Sequence, residues 1–313
     1  MRKKHGWLIY QEEEIVRNQF SIRVMCENAE RLEIPLEVKT WQWWKAWKND
    51  SWEASEENAD CKVRKLPGYV INRSRDTCLA EWFEEKGIRV FNSSSVTRIA
   101  NDKEQTLEFA ESLEIPTLEW KDGESLYASD MSGTEAKTGE KTKEAKDVKD
   151  VKDVLQGSVT FPLVVKSCGG HGGTEVFWVE NEAELSKVKR LLDGKKWMIQ
   201  RPASELGKDV RVYAIGNRIV QAMLRVSETD FRSNFCLGGQ AEPYELGAEE
   251  QYMVQKILEE LKTDYVGIDF LFDQGKMVLN EIEDAVGARM LYSGTDLDIL
   301  KNYMEYIKKE LIE

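Results

Sequence analysis

At 313 residues, with 41% hydrophobic and 32% charged side chains, the chain has an ordinary globular composition and length enough for two or three compact units. Its formal net charge of -13 argues against general affinity for nucleic acid or anionic membranes, although a local basic pocket for phosphates is compatible with it. With two histidines and five scattered cysteines that form no C-x-x-C pair, there is almost no material for a His-centred triad, a zinc site or a disulfide framework.

The basic start runs into an apolar stretch, 7–10, too short for a signal peptide, and no later run reaches membrane-span length. A cytoplasmic protein with reduced thiols is expected. Residues 7–10 read as a strand, 18–32 as an amphipathic helix carrying Phe20, Val24, Ala29 and Leu32, and 36–38 as the next strand. Trp41, Trp43, Trp44, Trp47 and Trp52 are interleaved with Lys45 and Lys48; their spacing suits a helix packed on its own domain, with a partner or membrane surface as the other reading. A strand at 69–72, a helix at 77–86 ended by Gly87 and a strand at 88–91 complete an α/β domain over 1–99.

Asn101 and Asp102 can cap a helix whose first turn holds Lys103 and whose apolar face is Leu107, Phe109, Ala110 and Leu113. From 121 to 157 large apolar residues are few and Lys-Asp-Val repeats recur, as in a solvated, disordered insertion. Order resumes with a strand at 161–166 entering Ser167-Cys168-Gly169-Gly170-His171-Gly172-Gly173-Thr174 and a second strand at 175–179. Backbone N–H groups of such a loop can cradle phosphate oxygens, with Lys166 at its lip; the other reading is a flexible hairpin tip, and neither a Walker loop nor a dinucleotide fingerprint is present. A helix at 182–192, a strand at 197–200 before Arg201-Pro202, and a hairpin of 209–215 with 218–225 about Gly216-Asn217 follow. A polar loop, 230–239, and a helix at 249–261 lead to the stretch 265–287, and a helix at 296–311 closes the chain.

Alternation of Val266, Ile268, Phe270 and Phe272, followed by the apolar run 277–282, reads as a second hairpin. If 274–276 is a three-residue loop, Asp273 pairs with Met277, Asp269 with Glu281 and Gly267 with Glu283. Three carboxylates on one face call for a hard divalent cation; a solvated acidic face is the other reading.

The ordered set of motifs resembles the ATP-grasp superfamily, most closely its RimK-type branch of carboxylate–amine ligases. The motifs that match are Asn101-Asp102-Lys103, Ile115-Pro116, Val164-Val165-Lys166 with its Gly-rich loop, Ile199-Gln200, Asp209-Val210-Arg211-Val212, Asp230-Phe231-Arg232-Ser233-Asn234 with Gly238-Gly239, Val266-Gly267-Ile268-Asp269 and Asn280-Glu281. The resemblance implies an α/β (α+β) ATP-grasp fold: a pre-ATP-grasp domain over 1–99, a lid lobe over 100–198 and a C-terminal lobe over 199–313, with two antiparallel-sheet lobes clamping ATP. It implies that Lys103 and Lys166 contact the α- and β-phosphates and that the loop with Gly169, Gly170, Gly172 and Gly173 closes over the γ-phosphate. Gln200, Arg201 and Pro202 would border adenine, Asp209 would contact nucleotide, and Arg232, Ser233 and Asn234 would lie near the phosphates. Asp269, Glu281 and Glu283 would bind Mg2+, with Mn2+ as a substitute; RimK-type ligases commonly have Asn where this chain has Glu283.

The implied reaction phosphorylates a carboxylate, which an amine then attacks; Arg225, Arg232 and Asn234 are the catalytic candidates for the transferring phosphoryl group or the oxyanion. Expected partners are small-molecule or peptide carboxylates and amines, with no nucleic acid and no membrane; a homo-oligomer is left open. A catalytically silent ATP-binding module and a small-molecule kinase on the same fold are the alternatives. Asp269→Asn is expected to stop turnover with the fold intact.

Overall fold

The computed structural model describes residues 5–53, 66–123, 160–233 and 240–312, with side chains of 50–53 excepted. The features expected at Trp52, 124–157, Asn234, Gly238 and Gly239 lie outside the described residues or side chains. The chain divides into one unit made of 1–117 with 205–313 and another of 118–204.

Short runs rich in aromatic and β-branched residues make the first sheet: β1 (Gly6–Tyr10), β2 (Leu36–Thr40), β3 (Tyr69–Asn72) and β4 (Arg89–Phe91). All pairs are parallel and the order is β2-β1-β3-β4, so the connections run to opposite sides from a switch point between β1 and β3. The connecting helices are α1 (Glu12–Ile15), α2 (Gln19–Arg31), α3 (Trp41–Glu53) and α4 (Thr77–Glu84). Alternation along the strands sorts the two faces. Trp7, Ile9, Val70 and Val90 meet α3 and α4, whereas Leu8, Tyr10, Tyr69, Ile71 and Phe91 face α2 and the rest of the unit. The tryptophan row is thereby a packing face: Trp44 is buried, Trp41, Trp43, Trp47 and Trp82 are half-buried around it, and Trp7 meets the Trp43 ring edge-on at 5.2 Å.

Two further helices, α5 (Ser94–Ala100) and α6 (Lys103–Ser112), follow. The Asp102 side chain accepts from the N–H groups of Glu104 and Gln105, which starts α6 at Lys103 as the sequence leads one to expect.

In the unit 118–204, β5 (Trp120–Asp122), β6 (Leu163–Ser167), β7 (Val176–Val179) and β8 (Trp197–Gln200) form an antiparallel sheet ordered β5-β8-β6-β7. Its core is Leu163, Val165, Val179 and Ile199 under Leu185, Val188 and Leu192 at and after α7 (Glu182–Leu191). Residues 121 and 122, read as the start of the insertion, belong instead to β5, because Lys121 and Asp122 pair with Ile199 and Met198.

The other antiparallel sheet, ordered β11-β10-β9-β12-β13, is made of β9 (Glu205–Ile215), β10 (Arg218–Val226), β11 (Gln240–Tyr244), β12 (Tyr265–Asp273) and β13 (Lys276–Glu283). One face, with Val210, Val212, Ala214, Val266, Ile268 and Phe270, is covered by α8 (Ala248–Leu261), whose inward residues are Val254, Ile257, Leu258 and Leu261. On the opposite face, Tyr213, Met223 and Tyr265 join the first sheet, α9 (Arg289–Gly294) and α10 (Ile299–Glu310) in one core.

Asp264, entering β12, ties these layers together. Its carboxylate takes hydrogen bonds from Arg89 on β4 at 2.5 Å and from the Tyr306 hydroxyl on α10 at 2.8 Å. Burial nevertheless outweighs Arg89 and pushes its pKa up to about 6. The folded state therefore binds a proton that the unfolded state has already released, and stability falls as pH rises from about 4 to 6, with a limiting slope of ~1.4 kcal/mol per pH unit. Denaturation of Asp264→Asn across pH 4–7 is expected to lack that component; an unchanged profile would remove Asp264 as its source.

Candidate active site

The hairpin turn is tighter than the expected three-residue loop. Gln274 and Gly275, at φ of 51° and 75°, make a two-residue turn that the right-handed twist of the strands favours, so Asp273 pairs with Lys276 and Phe270 with Leu279. That register alone would have moved every later residue of β13 by one. A bulge after Phe270 and Leu279 adds Asn280 to β13 and restores Asp269 opposite Glu281 and Gly267 opposite Glu283. The three carboxylates accordingly share one face, although the turn differs.

Next to this hairpin, β9 sets Arg211 opposite Asp269, and β10 sets Arg225 opposite Asp209. Arg225 grips Asp209 with Nε at 2.6 Å and Nη2 at 2.5 Å, and Nη2 also donates to Asp269 at 2.8 Å. Arg211 grips Asp269 through Nε at 2.7 Å and Nη2 at 2.6 Å, while its Nη1 stands 2.7 Å from Glu283 Oε2. Lys103, buried at the start of α6, brings Nζ to 3.7 Å from Glu281. The face thus holds four carboxylates against three cations. Burial pushes Asp269 up, but the two guanidiniums prevail and hold it at about 2. Burial raises Asp209, which shares its guanidinium with Asp269, and Arg225 offsets this only in part.

Arg211 stands in the matching motif 209–212, but the sequence gives it no role of its own. Its signal was parity, two places beyond Asp209 on an alternating strand, but the β9–β12 pairing that brings it to Asp269 is not written in either strand. Arg232, expected near the phosphates, has Nε and Nη2 on Asp230 of its own loop, at 2.9 and 2.7 Å. Ser233 is buried and hydrogen-bonded to Asp209.

Within 118–204, the expected Lys166 and Gln200 meet: Lys166 Nζ donates to Gln200 Oε1 at 2.6 Å, both side chains being buried. Gln200 Nε2 is buried without an acceptor among the described residues, which suits a position awaiting a hydrogen-bonding ligand. Arg201 donates to the Pro202 carbonyl at 3.0 Å, and both are half-buried. In the Gly-rich loop, Gly172 and Gly173 have φ of 66° and 74°, a conformation costly for other residues, and a Cβ on Gly170 would stand 2.9 Å from Glu175. Gly169 carries no such restriction, since a Cβ there meets nothing.

Among the described residues no three His, Cys, Asp or Glu side chains form a ready-made metal cluster. The donor set nonetheless fits a hard divalent cation at Glu281 and Glu283. Their side chains are 27% and 20% exposed, and among the described residues Glu283 Oε2 accepts no hydrogen bond, although Arg211 Nη1 stands 2.7 Å away. Asp269 already accepts three hydrogen bonds, leaving its carboxylate about one lone-pair site.

A Cβ at Gly267, beside these groups, would lie 2.7 Å from Val286 Cγ2 and 3.4 Å from Arg211 Cδ. Gly267→Ala is expected to cost ~1–3 kcal/mol by overpacking. Urea denaturation measures it, and unchanged stability would mean that Val286 gives way freely.

On this sheet face carboxylates therefore alternate with buried guanidiniums. The chain belongs to the RimK-like ATP-grasp family, whose domain model matches residues 135–307; this is a family of ADP-forming carboxylate–amine ligases. An uncharacterized MG012 homolog of Mycoplasma pneumoniae is 30% identical over 225 residues, covering 71% of this chain and 74% of the relative. A probable alpha-L-glutamate ligase of Haemophilus ducreyi is 25% identical over 249 residues, 77% and 73% of the two chains. The D-alanine–D-alanine ligase of Bacillus anthracis, solved with ATP, shares the fold at a TM-score of 0.64 and 15% identity over 98% of this chain and 99% of its own.

Proposed function

We propose that the chain is an ATP- and magnesium-dependent ligase, active in the cytoplasm, that joins a small-molecule or peptide carboxylate to the amine of an α-amino acid. The observation that carries this reading is the charged face of β9, β10, β12 and β13, where Arg211 and Arg225 link Asp209, Asp269 and Glu283. The glutamate ligase among the relatives makes L-glutamate the first amine to try.

A bound magnesium ion, held by Glu281 and Glu283 with Asp269 behind them, would neutralise phosphate charge. The substrate carboxylate oxygen attacks the γ-phosphorus of ATP and ADP leaves; the amine then attacks the acyl carbon, loses a proton and expels phosphate. Arg225 and Arg211 lie fixed before reaction by carboxylates on both sides, so they can stabilise developing negative charge without reorganising. Lys103, Lys166 and the 169–173 loop are assigned to the phosphates, Gln200, Arg201 and Pro202 to adenine, and Arg232, Ser233 and Asn234 to the transferred phosphoryl group. Asp209 is assigned to holding Arg225.

The test is ADP release against a panel of acids and amines, with products weighed by mass spectrometry. An amide formed in equal amount to ADP supports the ligase. A stable phosphorylated product would make the protein a kinase, and tight nucleotide binding without turnover on any acid would make it a binding module.

A further inference from the structure

The tryptophan row packs on β1 and α4, but its rings also gather lysines that the phosphate-handling face does not use. Lys39 of β2 lies 4.3 Å from the Trp43 ring centroid, Lys45 of α3 4.5 Å from Trp41, and Lys86, two residues beyond α4, 3.9 Å from Trp82. Lys48, about one helical turn beyond Lys45, stands 5.2 Å from Trp44 and 5.8 Å from Trp82. Four cations from three segments thus share one aromatic face, and Trp41, Trp43 and Trp82 are only half-buried beneath them.

Several neighbouring carboxylates are engaged elsewhere. Glu37 holds Lys39 at 2.7 Å, but Asp76 accepts from the Trp41 indole N–H and the Leu79 N–H, Glu81 pairs with Arg98, and Glu84 accepts from Ser94. Lys45 and Lys86 are exposed, and among the described residues neither has a carboxylate within ion-pair distance. A ring face attracts an ammonium group but accepts no conventional hydrogen bond, so the Nζ donors are left for solvent or an anion. On a chain of net charge -13 the face is a local reversal of sign.

We infer that this face docks an acidic peptide segment of a partner protein, whose Asp and Glu carboxylates pair with Lys45, Lys48 and Lys86 and whose side-chain stems lie on the half-buried indoles. Charge complementarity selects the occupant. A nucleic acid would need the ring faces for base stacking, and lysines already lie over Trp41, Trp43 and Trp82. A bilayer would need apolar side chains to insert, and no described residue of α3 or α4 is an exposed large hydrophobic. A carboxylate needs only the ammonium donors. Because the rings restrain the lysines beforehand, less side-chain freedom is lost when the segment arrives.

The test is fluorescence anisotropy of the full chain with a fluorescein-labelled octaglutamate peptide blocked at both ends, with and without Mg2+ and a non-hydrolysable ATP analogue. Wild type should bind the peptide more weakly as salt rises and equally well with the analogue present. Combining Lys45→Gln, Lys48→Gln and Lys86→Gln should weaken binding about tenfold, since three exposed ion pairs are each worth a few-fold. Arg at the same three positions should retain it, keeping both the charge and the ring contact. Circular dichroism checks folding, and Lys86→Glu alone, at an exposed position, should weaken binding several-fold if the triple variant does not fold. Unchanged affinity in the Gln variant, displacement of the peptide by the analogue, or no binding to wild type would overturn the inference. Tighter lysine-dependent binding of single-stranded DNA or of phosphatidylserine vesicles would overturn it too. The ligase reading stands or falls separately from all of these outcomes.

Discussion

Asp269→Asn is expected to lower stability by ~3–5 kcal/mol at neutral pH as well as to stop turnover, in contrast to the intact fold that sequence alone suggests. Asp269 is 1% exposed and is the shared counter-charge of Arg211 and Arg225. The neutral amide leaves two buried guanidiniums with too little negative charge. The pH dependence identifies the cause. Because Asp269 is held at about 2, its charge contributes stability above the ordinary carboxylate range, and that contribution is lost as pH falls through about 4 toward 2. The gap between wild type and variant should narrow over that interval. A constant gap would assign the loss to packing rather than charge.

Glu281→Gln should have the opposite profile. Its side chain is 27% exposed and its contact with Lys103 is long, at 3.7 Å, so stability should change by no more than ~0.5 kcal/mol. Turnover should fall by about 10²–10³-fold, the scale of losing a preorganised electrostatic contact to the transferring group. Direct Mn2+ binding in the presence of ADP should weaken in parallel. Near-normal Mn2+ affinity would remove Glu281 from the cation site. Together the two variants separate a carboxylate that holds the protein's own arginines from one that is open to a metal.

Much of the architecture was legible because it is local. Period-two alternation marked both hairpins, Asp102 announced α6, and apolar spacing marked α2, α7, α8 and α10. The elements not expected were short or held by partners: β5 has three residues and pairs with β8, and β11 is a largely polar edge strand next to β10. The acidic face was legible by parity, but only because the Asn280 bulge compensated a tighter turn. Arg211 owes its role to a pairing between distant segments, β9 with β12. No local pattern in the chain encodes that pairing.

If the protein activates a carboxylate by phosphorylating it, oxygen from that carboxylate must end in the released phosphate. With the carboxylate substrate labelled with oxygen-18 in both oxygens, ATP, Mg2+ and the amine, each amide formed should be matched by one phosphate carrying one labelled oxygen. Amide accompanied by wholly unlabelled phosphate would contradict an acyl phosphate and, with it, the roles given to Arg225, Glu281 and Glu283.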